Sequence, residues 1–97
     1  MDALTWCEIS SSALARNVTE LRSLVRPGVR FAPVVKANAY GHGLEVAARA
    51  FIAAGADWLC VHDVGEAAVL RDLGVTLPLY VLGYVPPAHM EALGRCG

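Results

Sequence analysis

The chain has 97 residues, 56% of them hydrophobic and only 18% charged, with a net charge of -1. Average chains are about 45–50% apolar and about 25% charged, so this composition expects cover from more polypeptide or a partner, and we read it as the first part of a longer protein. Eight basic residues against nine acidic ones offer no cationic field for nucleic acid, and no run approaches the roughly 20 apolar residues of a membrane span.

Met1-Asp2-Ala3-Leu4 has neither a cationic start nor an apolar signal core. Cys7, Cys60 and Cys96 are far apart and in no metal-ligand spacing, which disfavours disulfide scaffolds and zinc ribbons. A reducing cytoplasm is the expected compartment. Lys36 is the only lysine; the other seven basic residues are arginines.

Residues 5–9 alternate like a short strand. Ser10-Ser11-Ser12 offers hydroxyl caps for a first helix, whose stripe is Leu14, Val18, Leu21 and Val25 and whose stop is Arg26-Pro27-Gly28. Phe31-Ala32-Pro33-Val34-Val35 reads as a buried strand, weakened by the donor that Pro33 lacks. Residues 36–43 read as a loop. Leu44, Ala47, Ala48 and Phe51 mark a second helix ending near Gly55.

Trp58-Leu59-Cys60-Val61 reads as the next strand. Asp63 followed by Glu66 has the form of a capping box opening a third helix, which carries Ala67, Leu70 and Leu73 and stops at Gly74. Leu79-Tyr80-Val81-Leu82 is a further strand, and Pro86-Pro87 opens a fourth helix with Met90 and Leu93. Short apolar strands alternating with helices predict an α/β fold of parallel strands covered by helices. Two architectures use such units: the doubly wound sheet, and the (β/α)₈ barrel of about 250 residues.

In both, ligands bind at the carboxyl ends of the strands. Three such ends are visible: residues 36–43, His62-Asp63 and Gly83-Tyr84. Lys36 directly follows a buried strand, where desolvation favours a neutral amine suited to Schiff-base chemistry. The plainer reading is a strand-ending lysine that reaches solvent. Tyr40, between small residues and glycines, can donate to a phosphate oxygen, although most Gly-His-Gly loops are only turns. His62 and Asp63 form an acid–base pair by position, or Asp63 is simply a cap. No role is assigned to His42 or Glu8, and Cys60 reads as a small core residue.

The unbroken stretch Val34-Val35-Lys36-Ala37-Asn38-Ala39-Tyr40-Gly41-His42-Gly43 closely resembles the signature of the alanine racemase family. Thr5-Trp6, Glu8-Ile9, Asn17-Val18, Ala54-Gly55-Ala56, Glu66-Ala67, Leu70-Arg71, Gly74 and Val81-Leu82-Gly83 fall in the family's order. Ser10-Ser11-Ser12 and residues 61–65 depart from its commoner patterns without touching Lys36 or Tyr40.

The resemblance implies an isomerase that interconverts L- and D-alanine with pyridoxal 5′-phosphate, supplying D-alanine for the cell wall. It implies a (β/α)₈ barrel followed by a mainly β domain, in a head-to-tail homodimer. Residues 1–97 would be the N-terminal part of the cofactor-binding barrel domain, about three βα units. Lys36 would carry the cofactor and act as base on the face that serves the D-enantiomer. Tyr40 would hydrogen-bond the cofactor phosphate, and Val34 and Leu82 would line the pocket beside the ring. The family's second base, a tyrosine from the other subunit's C-terminal domain, has no counterpart here. The chain alone is therefore expected to be inactive. The alternatives kept open are a non-catalytic cofactor-binding or interaction module and a racemase of wider specificity. No metal is expected.

Overall fold

The computed structural model describes residues 3–97; Met1 and Asp2, part of the stretch inspected for a leader, lie outside them. Helix α1 spans Ser11–Ser23. Its N-cap is Ser10, whose hydroxyl accepts from the Ala13 amide at 3.1 Å. Helix α2 is Leu44–Ala53, strand β1 Leu59–Val61, helix α3 Val64–Asp72 and strand β2 Leu79–Val81. A 3₁₀ turn, Pro87–His89, leads into helix α4, Met90–Arg95. A proline-opened turn that tightens before the α-helix begins is a common helix start.

Strands β1 and β2 pair in parallel, with Leu59 opposite Leu79, Cys60 opposite Tyr80 and Val61 opposite Val81. Residues 31–35 run along the other edge of β1, yet they qualify only as the isolated parallel bridge Val34–Cys60. The Trp58 amide donates to Phe31 O at 3.3 Å, Cys60 N to Pro33 O at 2.9 Å, and Val35 N to Cys60 O at 2.8 Å. The missing rung is the one that Pro33, with no N–H, would have donated. The expected strand is therefore present as an edge partner with an interrupted ladder.

The expected strand at residues 5–9 does not form. An extended segment needs a neighbour for its amides, and no described strand pairs with it. Trp6 is exposed and its indole Nε1 donates to Glu8 at 2.9 Å. The first helix also buries less of its stripe than its spacing predicts. Val18 is buried and Leu14 half-buried, while Leu21 and Val25 face solvent and the helix ends before Val25.

One face of the sheet carries the core. Val35, Leu59 and Val61 pack with Ala47 and Ala48 of α2 and with Ala67 and Leu70 of α3; Leu79 and Val81 lean on the same cluster. Alanines at the helix contacts let the helices approach the strands closely, and Leu70 fills the space between. Val34, Cys60 and Tyr80, one residue out of phase, belong to the opposite face, and no described helix covers that face.

The consequence is an open slab of 45 × 44 × 21 Å. It exposes 6588 Å², against about 5,400 Å² for a compact monomer of this mass. No described helix is long and apolar enough to cross a membrane.

Asp57 ties three segments together at the amino end of β1. Its carboxylate accepts from the Phe31 amide at 2.7 Å and from the Arg22 guanidinium of α1. The Phe31 bond first, then Arg22, hold the Asp57 carboxyl below its usual range. A lowered folded value means that the contribution to stability is complete above the unfolded carboxyl's value, about 3.9, and is lost as pH falls through the folded value. Chemical denaturation should therefore find Asp57→Asn less stable than wild type at neutral pH, with the gap closing below about pH 4. A gap that stays constant from pH 7 to pH 2 would contradict this account.

Candidate functional site

Three chain segments end together at the carboxyl edge of the sheet: residues 31–35, β1 and β2. Lys36 follows the first, His62 the second and Leu82 the third. Lys36 is half-buried and, among the described residues, makes no salt bridge or side-chain hydrogen bond. Its amine thus stands at the ligand end of a parallel sheet without a carboxylate partner.

Residues 36–43 are more ordered than the loop read from sequence. Ala37, Asn38, Ala39 and Tyr40 have φ of 53°, 56°, 54° and 56°, a full turn of left-handed helix within the Lys36–Tyr40 segment. The Ala39 amide donates to Val35 O at 2.8 Å across it. Left-handed conformation costs an L-residue about 1–2 kcal/mol, so surrounding contacts must hold it.

Several contacts do so. Ala39 is buried in the core cluster. The Asn38 carbonyl accepts from Gly41 N at 3.1 Å and Gly43 N at 3.0 Å, and its side-chain Oδ1 accepts from Leu44 N at 2.8 Å, capping α2. His42 Nδ1 lies 2.9 Å from Ala39 O and donates to it. Gly43 itself sits at φ 103°, beyond what a side chain tolerates, where the chain swings into α2.

The carboxylate of Glu66 closes the edge. Its Oε1 accepts from Ala37 N at 3.0 Å and its Oε2 from His62 N at 2.8 Å. Asp63 Oδ1 in turn accepts from Glu66 N at 2.9 Å. The capping box read from sequence is half right. Asp63 caps α3 as expected, but Glu66 reaches past the cap residue to His62 and across to the neighbouring segment. Asp63 is therefore occupied as a cap rather than as half of an acid–base pair with His62.

Tyr40 is 62% exposed and its hydroxyl has no hydrogen-bond partner among the described residues. Leu82, also exposed, lies two residues beyond Tyr80 and so on the uncovered face with Val34. Cys60 shares that face, buried between its neighbours, with Sγ donating to Ala32 O at 3.5 Å. Burial pushes the Cys60 thiol above its ordinary value.

Gly83 completes the edge. Its amide donates to His62 O at 2.8 Å, and a Cβ there would lie 2.5 Å from that same oxygen and 2.8 Å from the His62 ring. The sequence contained Gly83 and Glu66 but no signal of these contacts. Asn38 was visible only as a motif letter.

The alanine racemase N-terminal domain model matches residues 9–95. This chain belongs to the alanine racemase family. It is 45% identical to the alanine racemase of Desulfovibrio desulfuricans over 86 residues, covering 89% of this chain and 23% of that protein. It is 43% identical to the Synechocystis alanine racemase over 91 residues, 93% of this chain and 24% of that one. Among solved structures, the Bacillus anthracis alanine racemase with bound L-Ala-P superposes with a TM-score of 0.93 at 36% identity, over 99% of this chain and 25% of that one. The Enterococcus faecalis alanine racemase (E.faecalis) gives a TM-score of 0.88 at 35% identity, over 91% of this chain and 24% of that one. The chain thus spans about a quarter of the length of the relatives it matches. The parallel strands and covering helices are those of the family's N-terminal domain.

Two outcomes test the geometry of this edge. Gly83→Ala should lower stability by about 1–3 kcal/mol in denaturant titrations, because the carbonyl of His62 must move; an unchanged midpoint would mean that β1 and β2 do not approach as described. Iodoacetamide at neutral pH, followed by peptide mass spectrometry, should label exposed Cys7 well before Cys60, whose raised thiol and burial both suppress thiolate attack.

Proposed function

We propose that the intact protein carrying this chain is a pyridoxal-phosphate-dependent alanine racemase, and that residues 1–97 are the first part of its (β/α)₈ barrel domain. The observation that carries this reading is Lys36: the chain's only lysine, without an acidic partner among the described residues, at the carboxyl edge of a parallel sheet in a chain of this family.

The donor set fits the cofactor. Lys36 offers an amine for its aldehyde, Tyr40 a free phenol for its phosphate, and Val34 and Leu82 apolar surface for its ring. The chemistry supplied by the cofactor when bound is an electron sink that acidifies the substrate Cα–H. Lys36 Nζ, held at the sheet edge, takes and returns that proton on one face, the face serving D-alanine. Tyr40 orients by hydrogen bonding, and Val34 and Leu82 exclude water from one side of the site.

Racemisation needs a base on each face of a planar carbon, and one fixed lysine reaches only one of them. The second base therefore comes from outside these residues, as do further phosphate donors, and a homodimer with the partner's side chains in the site accounts for both. The uncovered sheet face is where the rest of the barrel closes. On this reading the 97-residue chain alone does not turn over alanine, since a general base is worth roughly 10²–10⁴ in rate. On the same reading the intact enzyme acts in the cytoplasm on a small-molecule substrate.

Borohydride reduction of the intact protein with its cofactor should leave the pyridoxyl group on the peptide containing Lys36. Lys36→Ala should lose both the cofactor's near-visible absorbance and turnover. Racemisation retained in that variant would remove Lys36 from the chemistry.

A further inference from the structure

We infer that Glu66 is a positioning residue for Lys36, acting by clamping the Lys36–Ala37 peptide to the carboxyl end of β1. The inference rests on the reading of Lys36 as the cofactor-bearing lysine.

The clamp joins two segments 25 or more residues apart in sequence through one carboxylate. Ala37 N–H and His62 N–H each reach a different oxygen, at 3.0 and 2.8 Å. Both are charge-assisted bonds, about twice the strength of neutral ones. The Ala37 amide is the peptide nitrogen immediately after Lys36, so fixing it fixes the start of the Lys36 side chain.

The ladder cannot do this alone. Its last described bond from the 31–35 segment to β1 is Val35 N to Cys60 O, and beyond Val35 the backbone leaves β geometry for the left-handed turn. At Ala37 the chain would otherwise leave its amide to solvent at the start of four strained residues. Glu66 supplies the missing acceptor from α3. It is itself held twice: its own amide is taken by Asp63 Oδ1, and it lies in the first turn of α3, where the helix dipole favours negative charge.

Charge and length both matter to the clamp. A glutamine at this site keeps one acceptor oxygen but turns an NH₂ donor toward the second amide, so only one of the two bonds survives. A stabilising role for α3 alone would instead be shared by any residue that anchors that helix. Arg71, at the opposite end of α3, is such an anchor: it donates to the carbonyls of Val75, Leu77 and Cys96.

The test uses the intact protein, with Glu66→Gln, Glu66→Ala and, as the anchor control, Arg71→Ala. In cofactor-free protein, hydrogen exchange of the peptide covering residues 36–43 should accelerate in both Glu66 variants and stay unchanged in Arg71→Ala. With pyridoxal 5′-phosphate added, borohydride labelling of Lys36 should slow about tenfold in Glu66→Gln, the effect of losing one hydrogen bond to a charged group. Arg71→Ala should label at the wild-type rate even where its melting temperature falls as far or further. Wild-type exchange and labelling in Glu66→Gln would overturn the inference, as would equal slowing in the Glu66 and Arg71 variants. Failure of the wild-type protein to label at Lys36 would instead overturn the reading of Lys36 itself, while exchange in the cofactor-free variants would still report on the clamp.

Discussion

Where the 31–35 segment pairs with β1 decides where Lys36 stands. Val34 opposite Cys60 sets the register, and a slip of one residue would send Val35 out of the core and Val34 into it, because side chains alternate across a sheet. The core enforces the observed choice: Val35 is fully buried against the helices together with Leu59 and Val61. Once that row is fixed, the next residue along must emerge at the carboxyl edge. The lysine's position is thus a by-product of the burial of the residue before it.

The left-handed turn after Lys36 is the costly part of this arrangement. Four consecutive non-glycine residues at positive φ are held by short polar contacts and one buried methyl group rather than by any regular element. Small side chains at 37 and 39 lessen the steric conflict, and Asn38 is a residue type that tolerates the region and caps α2 in the same stroke. Such over-determined strain collects at functional sites, where a side chain must be presented at an angle that regular structure does not offer.

On the proposed reading, the two faces of the sheet divide structure from chemistry. Toward the helices lie residues that only pack. On the other face lie Val34, half-buried, and Tyr80 and Leu82, both exposed, beside the edge that carries Lys36. A sheet packed on one side and bare on the other accounts for the surplus of accessible surface and for the apolar residues that stay exposed.

Composition, periodicity and punctuation determined the alternation of helix and parallel strand, the Ser10 and Asp63 caps, the buried rows and the edge at which Lys36 sits, since each follows from local pattern and the alternation rule. The same signals misread residues 5–9, where alternation is present but no described strand supplies partners for the amides. They also read residues 36–43 as a plain loop, because nothing in Ala-Asn-Ala-Tyr demands positive φ until packing around Ala39 and the Glu66 carboxylate impose it. The Glu66 clamp and the contact between Gly83 and His62 belong to tertiary structure alone: they join positions 29 and 21 residues apart, and no local pattern encodes which distant amide or carbonyl a side chain will meet.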